Sequence, residues 1–431
     1  MKTLLERAKG TPLTIVASRT DSVCTVSLLP PHTIQIANLE FTKNCWRDIQ
    51  RFSVINSGPL PLLRTLNMNV VWRSWDEFDM GTSLSHSPFS EAKGLKEFRL
   101  HSQASPFLSH FVFPNLTSFD LSATLVEEFR GSELLDFLEA SPMLQVVRVK
   151  IVATLSLEGV ARERVVVLQH VGSLCLTARD GGPGYELATH ISCPSVKNTS
   201  ITYMSGEEGG NVAPLDLFPT LDSFNAIIRQ YTRSPIEEIG LERTNDPTSH
   251  KFITYSLTLL SADTTVINFH FKIIEFDGRA DSLNCDVFSK ACKTIQDLPL
   301  LANVKHLYIH GLPNTKIEST AQIAHEFGGL LKSLGPLEEL TICRCDMRSF
   351  FLHYPEIIVG YPPIRVLTLS DPENTLKEDV AGRLVGLAKA QHRLGVPFER
   401  VTVHSPLPLA DVGEMLSQWV GVVDCSLYDR S

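Results

Sequence analysis

The sequence predicts an α/β fold in which strand and helix units repeat and stack in one direction, a solenoid with a parallel sheet on one face and helices on the other. Three observations carry this expectation. A short apolar phrase, usually led by proline, recurs along the chain. Helix-period segments lie between several of its copies. One pair of β-rich runs breaks the rhythm as an inserted hairpin.

The phrase is a proline, an apolar residue, two variable residues, a second apolar residue, one variable residue and a third apolar residue. It stands at Pro61-Leu63-Leu66-Met68, Pro114-Leu116-Phe119-Leu121, Pro142-Leu144-Val147-Val149, Pro194-Val196-Thr199-Ile201, Pro235-Ile236-Ile239-Leu241, Pro336-Leu337-Leu340-Ile342, Pro363-Ile364-Leu367-Leu369 and Pro397-Phe398-Val401-Val403. The same spacing without proline recurs at Ile36-Leu39-Phe41, Leu95-Phe98-Leu100, Val171-Leu174-Leu176 and Val304-Leu307-Ile309. About a dozen copies at intervals of roughly 20 to 40 residues mark a repeat architecture. Proline has no backbone donor and a fixed φ, so it stops a preceding helix and starts an extended segment. The closing apolar-x-apolar turns two side chains to one face of a short strand, and the residues between them face the other way. Such strands lack a hairpin partner close in sequence, so they pair in parallel with the next unit.

Taken in order, Met1 to Ser18 is mildly apolar, but Glu6, Arg7, Lys9 and Pro12 interrupt it and no signal-peptide core is expected. Helices are expected over Ser132 to Ala140, Asp222 to Tyr231, Asn284 to Gln296, Ser319 to Leu334 and Leu376 to Arg393. In Ser319 to Leu334, Ile323, Phe327, Leu330 and Leu334 share one face, and Gly335-Pro336 ends the segment. Phe252 to Leu260 and Val266 to Phe276 read as the antiparallel hairpin, near 252–276. Asp180-Gly181-Gly182-Pro183-Gly184 and Gly206 to Gly210 read as mobile loops. Leu409 to Val423, carrying Trp419, is expected to close the array as a terminal capping helix, so that residues 1–431 form one continuous domain.

Composition narrows the function classes. A chain of 431 residues with 43% hydrophobic content exceeds what one globular core holds, whereas a repeat array grows along one dimension. A net charge of −9 without a long basic run argues against nucleic acid as a partner. No segment has the length of a membrane span, so no membrane association is expected. Nine cysteines without framework spacing fit a reducing compartment, cytoplasmic or nuclear. The sequons Asn115-Leu116-Thr117 and Asn198-Thr199-Ser200 fall inside repeat phrases and read as chance matches.

Leu4 to Leu13, Phe113-Pro114-Asn115-Leu116-Thr117, Leu134 to Pro142, Tyr231 to Pro235, Leu334 to Leu337 and Gly395 to Val403 together resemble the F-box proteins with leucine-rich-repeat-like domains of mushroom-forming fungi. The resemblance implies an irregular leucine-rich-repeat-like solenoid that selects a protein partner, as the substrate-recognition domain of a ubiquitin ligase does. In that family an F-box docks onto the ligase adaptor; none precedes Leu4, which puts adaptor binding in question. The repeats also rarely carry the Asn or Cys that the standard form places three residues past the last apolar position, Cys345 being the clean match.

With the apolar triplets inward, the outward residues form the candidate partner-binding set. Arg99, His101, Asp120, Arg148, Lys150, His306, Tyr308 and His310 lead it, with Thr65, Asn67, Asn69, Glu97, Ser118, Ser122, Glu339, Thr341, Cys343, Thr402 and His404 around them. Aromatic, cationic and hydrogen-bonding groups on a rigid scaffold suit protein recognition, and the alternative for each residue is a plain solvated sheet face. His306 and His310 lie ~13 Å apart along a strand, too far to share one metal ion. Cys343-Arg344-Cys345 lacks a second ligand pair, so no metal and no cofactor is expected. No nucleophile elbow, zinc-protease, dinucleotide or Walker signature is present, and Asp76, Glu77, Asp79 and Glu127-Glu128 read as solvated surface. The expected function is a non-catalytic protein-interaction scaffold. The alternatives are a leucine-rich-repeat-type GTPase activator or other enzyme regulator, and a degenerate paralogue with little function.

Overall fold

Along the strands that carry the repeated phrase every second residue is buried, and this alternation sorts the phrase into an inner and an outer set. In Glu97–Ser102, Phe98, Leu100 and Ser102 are buried while Arg99 is exposed and Glu97 and His101 are half-buried. The computed structural model describes residues 11–18, 35–44, 60–71, 92–103, 108–124, 128–179, 181–204, 221–245, 252–274, 289–296, 301–311, 317–335, 337–345, 363–370, 378–405 and 410–427, with 49 and 89. It is a mixed α/β structure of two compact units, Met1–Met204 and Ser205–Ser431.

In the first unit the strands are β1 (Leu13–Ser18), β2 (Ile36–Asn44), β3 (Thr65–Val70), β4 (Glu97–Ser102), β5 (Ser118–Ala123), β6 (Phe129–Arg130), β7 (Val146–Ile151), β8 (Leu155–Ser156), β9 (Val166–Val167), β10 (Ser173–Ala178), β11 (Ile191–Ser192) and β12 (Asn198–Met204). The main ladder runs β1-β2-β3-β4-β5-β7-β10-β12, all parallel. Two short side ladders pair β6 with β8 and β9 with β11. Register keeps the apolar positions in phase. Leu66, Phe98, Phe119, Val147, Leu174 and Thr199 form one cross-strand row, and Met68, Leu100, Leu121, Val149, Leu176 and Ile201 form the next.

The structure gives the phrase's proline a sharper role than starting a strand. Pro61, Pro114, Pro142 and Pro194 each sit second in a β-turn closed by the next apolar residue: the N–H of Leu63, Leu116, Leu144 and Val196 donates to the carbonyl of Leu60, Phe113, Ser141 and Cys193 at 3.1–3.3 Å. A φ near −65° is what that turn position requires. Two proline-free copies in this unit make the same turn, with Leu95 on Ala92 and Val171 on Leu168.

Helix α1 (Gly131–Glu139) and helix α2 (Gly181–Thr189) cover the apolar side of this ladder. Phe137 of α1 lies 4.4 Å from Phe119 and 6.1 Å from Phe98, ring centre to ring centre, and α2 packs on β10 and β12. The expected loop is therefore corrected over 181–184, which opens α2, while residue 180 lies outside the described residues. Pro183 is tolerated there because the first helical turn has no internal acceptor for its missing N–H. Gly184 is buried against β10, where an added Cβ would fall 2.6 Å from Ala178 Cβ, so glycine lets the helix approach.

The second unit holds α3 (Leu221–Tyr231), β13 (Ile236–Asn245), β14 (Phe252–Ser261), β15 (Val266–Ile274), α4 (residues 289–296), β16 (His306–His310), α5 (Ile317–Ser333), β17 (Glu339–Cys343), β18 (Val366–Ser370), α6 (Glu378–Arg393), β19 (Arg400–Ser405), α7 (Ala410–Ser417) and β20 (Val422–Leu427). Its strand order is β15-β14-β13-β16-β17-β18-β19-β20. From β13 through β16 to β20 all pairing is parallel, with Ile239, Leu307, Leu340, Leu367, Val401 and Val423 aligned. The expected hairpin is β14 and β15, and β14 also pairs antiparallel with β13, so the three strands form a meander within the sheet. Phe224 of α3 packs on Phe269 of β15 with ring centres 4.6 Å apart.

The expected closing helix over 409–423 is shorter. It spans Ala410–Ser417, and the chain returns as β20 beside β19, with Val422 and Leu427 exposed. Trp419 follows the helix and meets α6 edge-on through His392, ring centres 5.4 Å apart, with Lys389 Nζ 5.4 Å from its ring. Asn284 to Ser289 lies outside the described residues except for its last position, and Gly206 to Gly210 lies wholly outside them.

Candidate partner-binding faces

The outward residues of each parallel ladder form cross-strand rows ~4.8 Å apart from strand to strand. In the first unit one row reads Asn67, Arg99, Asp120, Arg148, Cys175 and Ser200, and the next reads Asn69, His101, Ser122, Lys150, Thr177 and Thr202. Five of the sequence-derived candidates thus gather on three adjoining strands: Arg99 and His101 on β4, Asp120 on β5, Arg148 and Lys150 on β7. Arg99 Nη2 lies 3.6 Å from Glu97 Oε2, an exposed pair that contributes little to stability. Arg148 and Lys150 are exposed and form no ion pair among the described residues.

The other three candidates stand in the second unit, on β16. His306 Nδ1 is 3.6 Å from Glu339 Oε2 on β17, and His310 Nδ1 is 3.6 Å from Glu242 Oε1 on β13. The rings of Tyr308 and His310 stack, centres 6.1 Å apart and 11° from parallel. Burial pushes the Tyr308 phenol up to about 12, so it serves as a neutral hydroxyl. Burial also pushes His310 down, opposed by Glu242 and reinforced by Arg344. The imidazole is therefore held toward its neutral form.

Glu242, His310 and Cys343 occupy one row of β13, β16 and β17, the residue types of a thiol nucleophile with its base and orienting carboxylate. Their details point elsewhere. The Glu242–His310 separation exceeds a hydrogen bond. Burial raises the Cys343 thiol, outweighing the hydrogen bond from Ser370 on β18 and the charge of Arg344, which both favour the thiolate, so a reactive thiolate is disfavoured. Cys345, which follows Arg344 at φ 50°, is buried and its Sγ donates to the Cys343 carbonyl at 3.1 Å. That is a turn role.

The alternation rule applied to the phrase at Pro235 finds Glu238 and Glu242 as well, residues absent from the candidate set derived from sequence. The outward ladder of the meander was not legible in sequence: Ser256 Oγ meets His270 Nδ1 at 2.8 Å, and Thr258 Oγ1 donates to Asn268 Oδ1 at 2.8 Å. Those pairs need the antiparallel register of β14 and β15. Asp76, Glu77, Asp79 and Glu127 lie outside the described residues, and Glu128 is exposed.

Among the described residues no group of three His, Cys, Asp or Glu side chains could hold a metal ion, and no helix is long and apolar enough to cross a membrane. A cleft between α2 and the strands β7, β10 and β12, lined by Val149, Leu176, Tyr185, Ile201 and Tyr203, has room for little more than one water molecule. It belongs to the core. No known protein family and no curated protein matches the chain.

Proposed function

We propose that the protein is a non-catalytic scaffold, an irregular leucine-rich-repeat-like solenoid whose outward sheet faces bind protein partners inside the cell. The observation that carries this reading is the pairing of a rigid inner face with a polar outer one. Phe98, Phe119 and Val147 are fully buried, while their chain neighbours Arg99, Asp120 and Arg148 stand on the outer surface in adjoining register. A backbone already fixed in packed strands loses little further freedom on binding, which favours recognition.

A raised Cys343 thiol, and a Glu242–His310 separation of 3.6 Å that is too long to orient the imidazole, support binding over nucleophilic chemistry. The six described cysteines form no disulfide with one another, in keeping with a cytoplasmic or nuclear setting. By its resemblance to F-box receptors, the partner is a protein marked for ubiquitination. Affinity capture followed by mass spectrometry tests the reading: Arg99→Ala, Arg148→Ala and Tyr308→Ala should each deplete captured partners while the chain stays folded at the temperature of the assay. Unchanged capture by all three variants would show that these faces are not the binding surface.

A further inference from the structure

We propose that the outer face of β4, β5 and β7 accepts an extended acidic protein segment whose carboxylates, two residues apart, stand over Arg148 and Lys150. The inference rests on the scaffold reading above and names the chemistry of its partner. Arg148 and Lys150 point the same way from one strand, ~6.6 Å apart at ~3.3 Å per residue. An extended partner repeats its own side chains at that spacing, so alternate carboxylates fall in step with the two cations.

The neighbouring strand makes room for such a segment. Between β4 and β7, whose Cα rows lie ~9.6 Å apart as two strand spacings, β5 presents only Ser118, Asp120 and Ser122. Arg99 and His101 rise on one side of this floor, Arg148 and Lys150 on the other. Glu97 already engages Arg99, which leaves the β7 cations as the available pair. The chain as a whole carries −9, so an acidic segment is repelled by the general surface and drawn to this row. Asp120 opposes the attraction from the floor. Its removal should therefore strengthen binding, a sign that a purely structural role for the row does not predict.

The test uses the full chain and short fluorescein-labelled peptides of alternating glutamate and serine, with glutamine and lysine counterparts, read by fluorescence anisotropy. The glutamate peptide should bind and the other two should not. The double change Arg148→Glu, Lys150→Glu should weaken binding by tenfold or more. Asp120→Asn should tighten it roughly two- to fivefold, the scale of one exposed charge. Salt should weaken it as the screening length falls to about 8 Å and below. Equal binding of the glutamate and glutamine peptides, indifference to the double change, or weaker binding by Asp120→Asn would overturn the inference, as would preference for a single-stranded RNA over the peptide. If the glutamate peptide fails while the double change still abolishes capture of the cellular partner, the acidic-segment inference falls and the binding face stands. If capture is also unchanged, both fall.

Discussion

Phe98 and Arg99 are consecutive residues of β4 with opposite fates, and truncating each to alanine separates the inner face from the outer one. Phe98 has no exposed surface and its ring centre lies 5.1 Å from Phe111, 5.3 Å from Phe113, 5.8 Å from Phe119 and 6.1 Å from Phe137. Deleting a ring from such a cluster loses its transfer energy and leaves a cavity that four surrounding aromatics cannot all collapse into, a cost of about 3–5 kcal/mol. Arg99 makes one exposed ion pair, so Arg99→Ala should stay within about 0.5 kcal/mol. At a urea dependence of about 2 kcal/mol/M, a loss of about 4 kcal/mol lowers the midpoint by about 2 M. Urea unfolding of the full chain, followed by far-UV circular dichroism, reads this directly. If Arg99→Ala moved the midpoint as far as Phe98→Ala, or if Phe98→Ala cost less than about 1 kcal/mol, the assignment of faces would be wrong.

Gly311 holds φ at +74° directly after β16, and a Cβ there would press on the Arg243 carbonyl, so Gly311→Ala should cost on the order of 1–3 kcal/mol in the same urea assay. His310, faced by Glu242, Tyr308, Cys343 and Arg344, has its folded-state proton affinity lowered by burial. As pH falls below the ordinary histidine value of about 6.5, the unfolded chain therefore takes up the proton first and stability declines. The stability difference between the parent and His310→Gln should be constant above pH 7 and shift against the parent below pH 6, and a flat difference across that range would sink the assignment. Burial raises Cys193 to about 12 and Cys292 well above the ordinary thiol value, whereas Cys425 is exposed. Iodoacetamide at pH 8 should label Cys425 in the native protein and reach the two buried thiols only in denaturant, as peptide mass spectrometry would show.

Much of the strand content was legible because the phrase obeys a local rule. Two apolar residues separated by one position must share a face, and β3, β4, β5, β7, β10, β12, β13, β16, β17, β18 and β19 all fall on copies of it. The hairpin was readable for a similar reason, two β-rich runs joined by a short polar turn. Elements without such a rule escaped. The two-residue strands β6, β8, β9 and β11 carry too few side chains for any period, and Gly181 to Gly184 has loop composition although Pro183 and Gly184 suit a helix start packed on Ala178. Strand β20 carries only half the pattern: Val423 aligns with Val401, but Cys425 and Leu427 remain exposed.

The sequence by itself determined which side chains face inward and which outward, because the parity of a strand is set residue by residue along the chain. Only the tertiary structure decided which outward residues are neighbours. Asp120 stands between Arg99 and Arg148, and His310 between Glu242 and Cys343, through the register of strands joined by segments of unequal length. That register comes from the stacking of turns and apolar rows against one another. No local spacing encodes it.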